Sequence, residues 1–341
     1  MSLSKIKIKA NSSEKLILAG DIGGTKTSLA FFIADKSSLV LKKTQTFPTA
    51  SADTPVELIQ QFLNQHKNPP VSQVCLGIAG PVFNGTATTT NLPWTISEQE
   101  LKIRFNWNQV SLINDLVALA YAVPHLNGDQ LLPINNLPHP NHGNIGVIAA
   151  GTGLGEALLI WDEGRYHPCA SEGGHKDFAP RNEQEYRLHR YLTKAFGHAS
   201  MERVVSGQGL VNIYNFLKED LSYQEPRWLA ERLSAEDAAA VISQSALNKQ
   251  DPTCIKALEL FIQLYGSEAG DIALQAMTFG GIYIGGGIGP KIAPALKNGG
   301  FMQGFLAKGR MRELLEKIPI SLIHDSQAAL KGAAAYAQHR P

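Results

Sequence analysis

Two stretches of the chain share one plan. Leu16 to Ile33 (LILAGDIGGTKTSLAFFI) runs as an apolar segment, a turn with adjacent glycines and a second apolar segment, and Ile145 to Trp161 (IGVIAAGTGLGEALLIW) repeats it. Short apolar runs broken by glycine read as strands, so each stretch is a β-hairpin closed by a glycine loop. Glycine admits positive φ, and a loop without side chains lets backbone N–H groups approach a phosphate. No helix follows the first turn directly. That separates it from phosphate loops whose glycines open a helix and use its N-terminus. An internal echo of this kind predicts two related half-folds, each presenting a hairpin to a common cleft.

Asp21 ends the first strand of the first hairpin, facing the loop. A carboxylate beside a phosphate nest needs a cation between them, which points to a divalent metal carried by a nucleotide. The bland alternative is a tight hairpin with a strand-end Asp.

At 341 residues the chain exceeds one comfortable domain, and two lobes are expected. The boundary falls near residue 125, with a smaller α/β domain over 1–125 plus 326–341 and a larger one over 126–325. A net charge of +1, from 31 basic and 30 acidic residues, leaves no polycationic surface and argues against nucleic acid or an anionic membrane as partner. Cys75, Cys169 and Cys254 are isolated and odd in number, so neither a disulfide framework nor a cysteine zinc site is indicated. Met1 to Lys15 is polar, without the apolar core of a signal peptide, and no run reaches membrane-spanning length. A reducing, cytoplasmic location is the expectation.

Elsewhere the pattern alternates strands and helices. Ser38 to Phe47, Val71 to Pro81, Gln109 to Asn114, Phe279 to Gly289 and Ile320 to His324 read as strands or short strands in glycine. Helical spacing covers Thr54 to Asn64, Ser97 to Arg104, Leu116 to Val123, Glu183 to Phe196, Leu210 to Leu217, Glu236 to Gln244, Ile255 to Met277, Pro290 to Leu296, Arg312 to Glu316 and Ala328 to Gln338. Asn91 to Trp94 and Pro133 to Gly143 read as loops, and Ala157 to Trp161 as the return strand of the second hairpin.

Three further constellations carry chemistry. Asn114-Asp115 sits where a strand turns into a helix. Both residues are common helix caps, yet a helix N-terminus also keeps a carboxylate ionised and fixed, ready to accept a hydroxyl proton. Ala170 to Phe178 (ASEGGHKDF) gathers a Glu, a His and an Asp around a glycine turn. A surface turn and a metal pair of His175 with Asp177 are alternatives, but two ligands without a third make a poor metal site. Carboxylates and imidazole bind polyols, and Glu172 and His175 can point into one pocket, with Glu202 a further acceptor or a solvated helix charge. Gly285 to Gly289 follows a strand and opens a helix, which suits a flat adenine ring or a plain turn.

In combination these segments resemble the bacterial glucokinase family, within the actin-like and hexokinase superfamily, from about Leu16 to the C-terminal helix. The carriers are Gly20-Asp21-Ile22-Gly23-Gly24-Thr25, Leu112-Ile113-Asn114-Asp115, Gly151-Thr152-Gly153-Leu154-Gly155, Glu172-Gly173-Gly174-His175 with Asp177-Phe178-Ala179-Pro180, Glu202-Arg203-Val204 before Ser206-Gly207, and Gly280 to Gly287. The resemblance implies a two-lobed, actin-like (ribonuclease H-like) α/β ATPase fold, with a mixed sheet and helices in each lobe and the active site in the cleft between them. It implies ATP-dependent phosphorylation of D-glucose at the 6-hydroxyl in a cytoplasmic homodimer. Asp115 would be general base, with Asn114, Glu172, His175 and Glu202 holding other hydroxyls. Asp21 would sit near Mg²⁺, through water, Gly23, Gly24 and Thr25 would bind phosphate, Gly151, Thr152 and Gly153 would embrace the β/γ-phosphates, and Gly286 would belong to the adenosine segment. Lys26 stands where many relatives have Asn, and Ser171 where Gly is frequent. The alternatives are another hexose kinase or a non-catalytic sugar-binding regulator of the same fold. The regulator needs a DNA-binding module ahead of the first hairpin, where 15 residues precede Leu16.

Overall fold

The computed structural model describes residues 15–35, 38–88, 94–140 and 142–339. Asn91 to Pro93 of the expected loop, and the polar stretch up to Glu14, lie outside them. The chain divides into two compact units, Met1–Asn127 with Asp325–Pro341, and Gly128–His324.

In the first unit, β1 (Lys15–Ile22), β2 (Lys26–Ala34) and β3 (Leu39–Pro48) form an antiparallel meander, with a register shift between Phe31 and Phe32. Helix α1 (Pro55–Gln65) leads to β4 (Gln73–Ile78). A small sheet of β5 (Val82–Phe83), β6 (Thr86–Thr88) and β7 (Thr95–Ser97) precedes α2 (Glu98–Phe105). Then come β8 (Val110–Asn114) and α3 (Asp115–Ala122). Strands β4 and β8 run parallel to β1, giving the order β3-β2-β1-β4-β8.

Strand β1 is apolar on both sides because both sides are covered. Leu16, Leu18 and Ile22 pack with Leu58 and Phe62 of α1, while Ile17 and Ala19 pack with Val117 and Ala118 of α3 and with Ala333 and Ala334 of the closing helix, Ala328–His339. Period-two alternation carries Asp21 to the same side as Ile17 and Ala19.

The second unit repeats this topology. Strands β10 (Ile145–Ala150), β11 (Leu154–Asp162) and β12 (Arg165–Ser171) form the meander, β13 (Gly281–Gly285) and β14 (Ile320–Ile323) run parallel to β10, and β9 (Leu131–Pro133) pairs antiparallel at the far edge. Its helices are α4 (Glu183–Phe196), α5 (Gly207–Asp220), α6 (Arg227–Ala235), α7 (Ala238–Leu247), α8 (Pro252–Ala276), α9 (Ala293–Leu296), α10 (Gly300–Leu306) and α11 (Arg312–Leu315). The closing helix of the first unit is therefore α12.

The small sheet β5–β7, strand β9 and helix α10 lie outside the sequence expectation, and three further elements depart from it for a visible reason. Strand β12 (RYHPCAS) is largely exposed and contains Pro168, so it lacks an apolar alternation and survives as an edge strand. Strand β11 starts at Leu154 rather than Ala157, since Gly155 and the buried Glu156 interrupt its apolar run while keeping the ladder to β10. Helix α6, with Leu229 as its fully buried residue, has too narrow an apolar stripe to be read from periodicity.

The C-terminal end of β10 is fastened from below. Tyr265 of α8 is fully buried, and its hydroxyl accepts from Ala150 N at 3.1 Å and donates to Ile148 O at 3.3 Å. Tyr265→Phe leaves both backbone groups short of a partner, and urea unfolding is expected to show a loss of about 1–3 kcal/mol. An unchanged midpoint would show that the fastening carries no stability.

Candidate active site

In the first unit the parallel strands β1, β4 and β8 end in register, with Asp21 beside Gly77, and Ile22, Ile78 and Asn114 in one row. Gly77 is required here. A Cβ on it would lie 3.1 Å from Ala118 Cβ and 3.6 Å from Asp115 Cα, so its absence lets the start of α3 sit against the sheet. Asn114 caps α3, its Oδ1 accepting from Leu116 N at 2.9 Å and Val117 N at 3.3 Å, while its Nδ2 donates to Gly80 O at 3.3 Å. Asp115 is the first residue of the helix, half-buried, with Oδ1 accepting from Leu116 N at 2.9 Å.

The glycine loop is held from the end of β3. Gly23 N donates to Lys26 O at 3.0 Å, Thr49 Oγ1 donates to Gly23 O at 2.8 Å and Thr49 N to Thr25 O at 2.9 Å. Gly23 spends its N–H on the turn itself, leaving exposed Gly24 and Thr25 as the outer edge. Neither Gly23 nor Gly24 occupies positive φ, so their value lies in the missing side chain rather than in backbone freedom. The Asp21 carboxylate makes no hydrogen bond or ion pair with the described residues, and burial alone pushes it up to about 6.

In the second unit the turn after β12 is pressed flat onto β11. A Cβ on Gly174 would lie 2.1 Å from Leu154 O, and one on Gly173 would lie 2.0 Å from Glu156 Oε2. The turn runs Gly173–His175, closed by His175 N to Glu172 O and Lys176 N to Gly173 O, each at 3.0 Å. The chain then pairs with the segment at residues 199–201, through Phe178 N to Ala199 O at 2.8 Å and Met201 N to Lys176 O at 3.0 Å. That pairing delivers Glu202.

Three side chains meet as a result. His175 Nε2 lies 4.0 Å from Glu172 Oε2, and its Nδ1 lies 4.0 Å from Glu202 Oε1. Glu202 turns its other oxygen inward, where Oε2 accepts from Leu154 N at 3.0 Å and fills the place of a Cβ on Gly153. It sits on a short 3-10 turn, not on a solvated helix. Asp177 points elsewhere, pairing with His198 at 2.8 Å, and no group of three metal-binding side chains occurs among the described residues.

The loop Gly151–Gly153 is tied down beside this cluster. Gly151 N donates to Gly153 O at 2.9 Å, and Gly151 O accepts from Gly207 N at 2.8 Å at the start of α5. Thr152 is left as the exposed tip, next to the positive end of a 14-residue helix capped by Ser206. Gly286, at φ +80°, packs against the same strand end, where a Cβ would lie 2.4 Å from Ala150 O.

A family model for glucokinase matches residues 18–340. The chain belongs to the glucokinase family. The glucokinase of Nostoc punctiforme is 41% identical over 334 residues, covering 94% of this chain and 98% of that one. The glucokinase of Synechocystis is 40% identical over 341 residues, covering 93% and 96%. Among solved structures, the glucokinase of an Antarctic psychrotroph matches with a TM-score of 0.84 at 30% identity over 97% of this chain and 100% of that one. The glucokinase of Balamuthia mandrillaris, solved in complex with glucose, shares the fold at a TM-score of 0.79 and 22% identity, covering 98% and 96%. The common architecture is the actin-like ATPase fold.

One feature of this glucokinase-family chain is silent in its sequence. Beneath the Glu172–His175 turn, buried Glu156 of β11 and buried Glu268 of α8 flank Lys176, whose Nζ lies 3.7 Å from Glu156 Oε2 and forms an ion pair with Glu268. Burial, reinforced by Glu268 and opposed by Lys176, pushes the Glu156 carboxyl up to about 8. Burial works against the Lys176 charge, yet Glu268 and Glu156 hold its ammonium above the usual range. A polar residue in each of two apolar runs was the available signal, and nothing in the spacing joins them to Lys176.

A single half-buried carboxylate without a partner fits a hydrated divalent cation, and Asp21 carries a cost that such a cation removes. Its folded-state carboxyl titrates near 6 against 3.8 unfolded, so the protein loses stability as pH rises between those values and stays penalised above them. Asp21→Asn is expected to stabilise the metal-free protein by on the order of 1–3 kcal/mol at neutral pH, and by nothing below about pH 4. Thermal melts across pH measure this; a neutral or destabilising substitution at pH 7 contradicts it.

Proposed function

We propose that this chain transfers the γ-phosphoryl group of ATP to the 6-hydroxyl of D-glucose, with the residues described above in distinct roles. The convergence of Glu172, His175 and Glu202 carries the reading. Their outward-facing carboxylate and imidazole atoms match a ring of sugar hydroxyls, which donate to the former and exchange donor and acceptor roles with the latter. Asn114 adds a donor, through the amide hydrogen not spent on Gly80.

Asp115 accepts the hydrogen bond of the 6-hydroxyl and takes its proton. Phosphoryl transfer passes through a loose transition state in which the alcohol deprotonates late, so an ordinary carboxylate serves if it is rigidly aimed. Its place at the first turn of α3, with Oδ1 held by Leu116 N, supplies that aim. Gly24 and Thr25, on the turn that Gly23 closes, bind phosphate through backbone and hydroxyl groups, as do Gly151, Thr152 and Gly153, helped by the N-terminus of α5. Gly286 leaves a flat surface for the adenosine. Asp21 holds Mg²⁺ through water, and that ion when bound neutralises charge on the phosphates. The family resemblance adds a cytoplasmic homodimer, which sedimentation velocity reads directly.

A coupled assay of a hexose panel against ATP with Mg²⁺ tests the reaction. Glucose is expected to give the highest kcat/KM, and preference for another hexose would reassign the substrate. Asp115→Asn is expected to lower kcat by about 10²-fold or more with nucleotide affinity nearly unchanged. Turnover close to that of the parent enzyme would remove Asp115 from the role.

A further inference from the structure

We propose that Glu156, Lys176 and Glu268 act as positioning residues, a buried clamp that sets the height of the Glu172–His175 turn and through it the affinity for glucose. The proposal rests on the reading of that turn as the sugar-binding element. The clamp reaches the turn at both ends. Glu156 Oε2 occupies the space beneath Gly173, where a Cβ would be 2.0 Å away, so the carboxylate is the surface on which the turn lies. Lys176 closes the turn with its N on Gly173 O, and its own carbonyl accepts from Met201 N one residue before Glu202. A shift of the Lys176 backbone therefore moves all three sugar-facing side chains together.

Burial makes this arrangement expensive for stability alone. Glu156 and Glu268 are 4% and 2% exposed, Glu156 Oε1 has no hydrogen-bond partner, and well-packed apolar residues in such places are often as stable or more so. The charges facing the cluster are Asp271, paired with Lys308 at 2.7 Å, and beyond them Asp177 with His198 and Arg181 with Glu185. None offsets the second carboxylate, so Glu156 keeps a proton at neutral pH. An adjoining cavity of about 320 Å³, lined by Lys176, Arg181, Ser267, Glu268 and Asp271, borders the Lys176 and Glu268 side of the cluster. When the Glu156 proton leaves, the new charge draws the Lys176 ammonium from Glu268 towards Glu156, and the turn follows.

Steady-state kinetics of the full chain from about pH 6 to about pH 10 test this, varying glucose at saturating ATP and the reverse. In the unaltered enzyme KM for glucose is expected to rise several-fold through an alkaline limb near pH 8, with KM for ATP flat across it. Glu156→Gln, neutral throughout, is expected to abolish the limb while keeping a near-neutral KM within about two-fold of the parent. A limb that persists in Glu156→Gln, or is absent from the unaltered enzyme, overturns the clamp. Calorimetry of glucose binding to the unaltered enzyme in two buffers near pH 8 needs no variant. Proton uptake on binding is expected, and its absence also overturns the proposal. Glu172→Gln separates the two readings, since it is expected to raise KM for glucose by about ten-fold or more at every pH. If it does not, the sugar-site reading fails; if it does while the limb survives in Glu156→Gln, the clamp alone fails.

Discussion

The two oxygens of Glu202 serve two loops at once, and the larger unit's site depends on that division. One oxygen takes the backbone N–H of Leu154, the first residue after the glycine loop, and the other faces His175. Leaving the Leu154 N–H unpaired at the end of a buried strand would cost about 1–3 kcal/mol, so the carboxylate is anchored before any ligand arrives. A single side chain thus fixes the loop assigned to phosphate with respect to the turn assigned to sugar. That explains why Gly153 carries no Cβ: the carboxylate already fills its place.

The same unit shows how glycine and charge cooperate. Gly173 and Gly174 let the turn settle onto β11 at a distance no side chain permits, and the surface they settle on includes the buried carboxylate of Glu156. An apolar residue there would pack as well, so the polar choice points to a requirement beyond packing. In the first unit Asp21 follows the same logic, as a carboxylate kept without a partner at the end of an otherwise apolar strand. Both positions run against what stability alone would select, and such positions concentrate where a protein binds or reacts.

How much of this was legible beforehand follows from range. The paired hairpins, the strand-to-helix step at Asn114-Asp115 and the glycine turn at Glu172 to His175 are local patterns, and local patterns survive in one dimension. Glu183 to Phe196 reads as a helix with its own bounds because its apolar stripe and its Asn182 cap lie within the segment. Strand β12 was not legible, since its pairing with β11 supplies order that its side chains do not advertise. Asn114 was readable as cap or as ligand, and its carbonyl oxygen is in fact committed to α3. The Glu156, Lys176 and Glu268 cluster draws on a strand, a turn and a helix separated by up to 112 residues, from 156 to 268, and no periodicity links them.

The order of the elements along the chain has a consequence for synthesis. The second unit is one continuous segment, whereas the first is completed only by α12, which is made after the whole of the second unit. Until then the side of β1 and β4 bearing Ile17, Ala19 and Cys75 lacks Leu330, Ala333, Ala334 and Ala337, which cover it in the finished protein. At about 5–20 residues per second, the roughly 200 residues between Asn127 and Asp325 keep that apolar surface waiting for some ten seconds or more. The small residues of α12 suit a close seat on what is already built, since Ala333, Ala334 and Ala337 cover β1 and α3 and Gly332 lies where a Cβ would be 1.7 Å from Ala118 O.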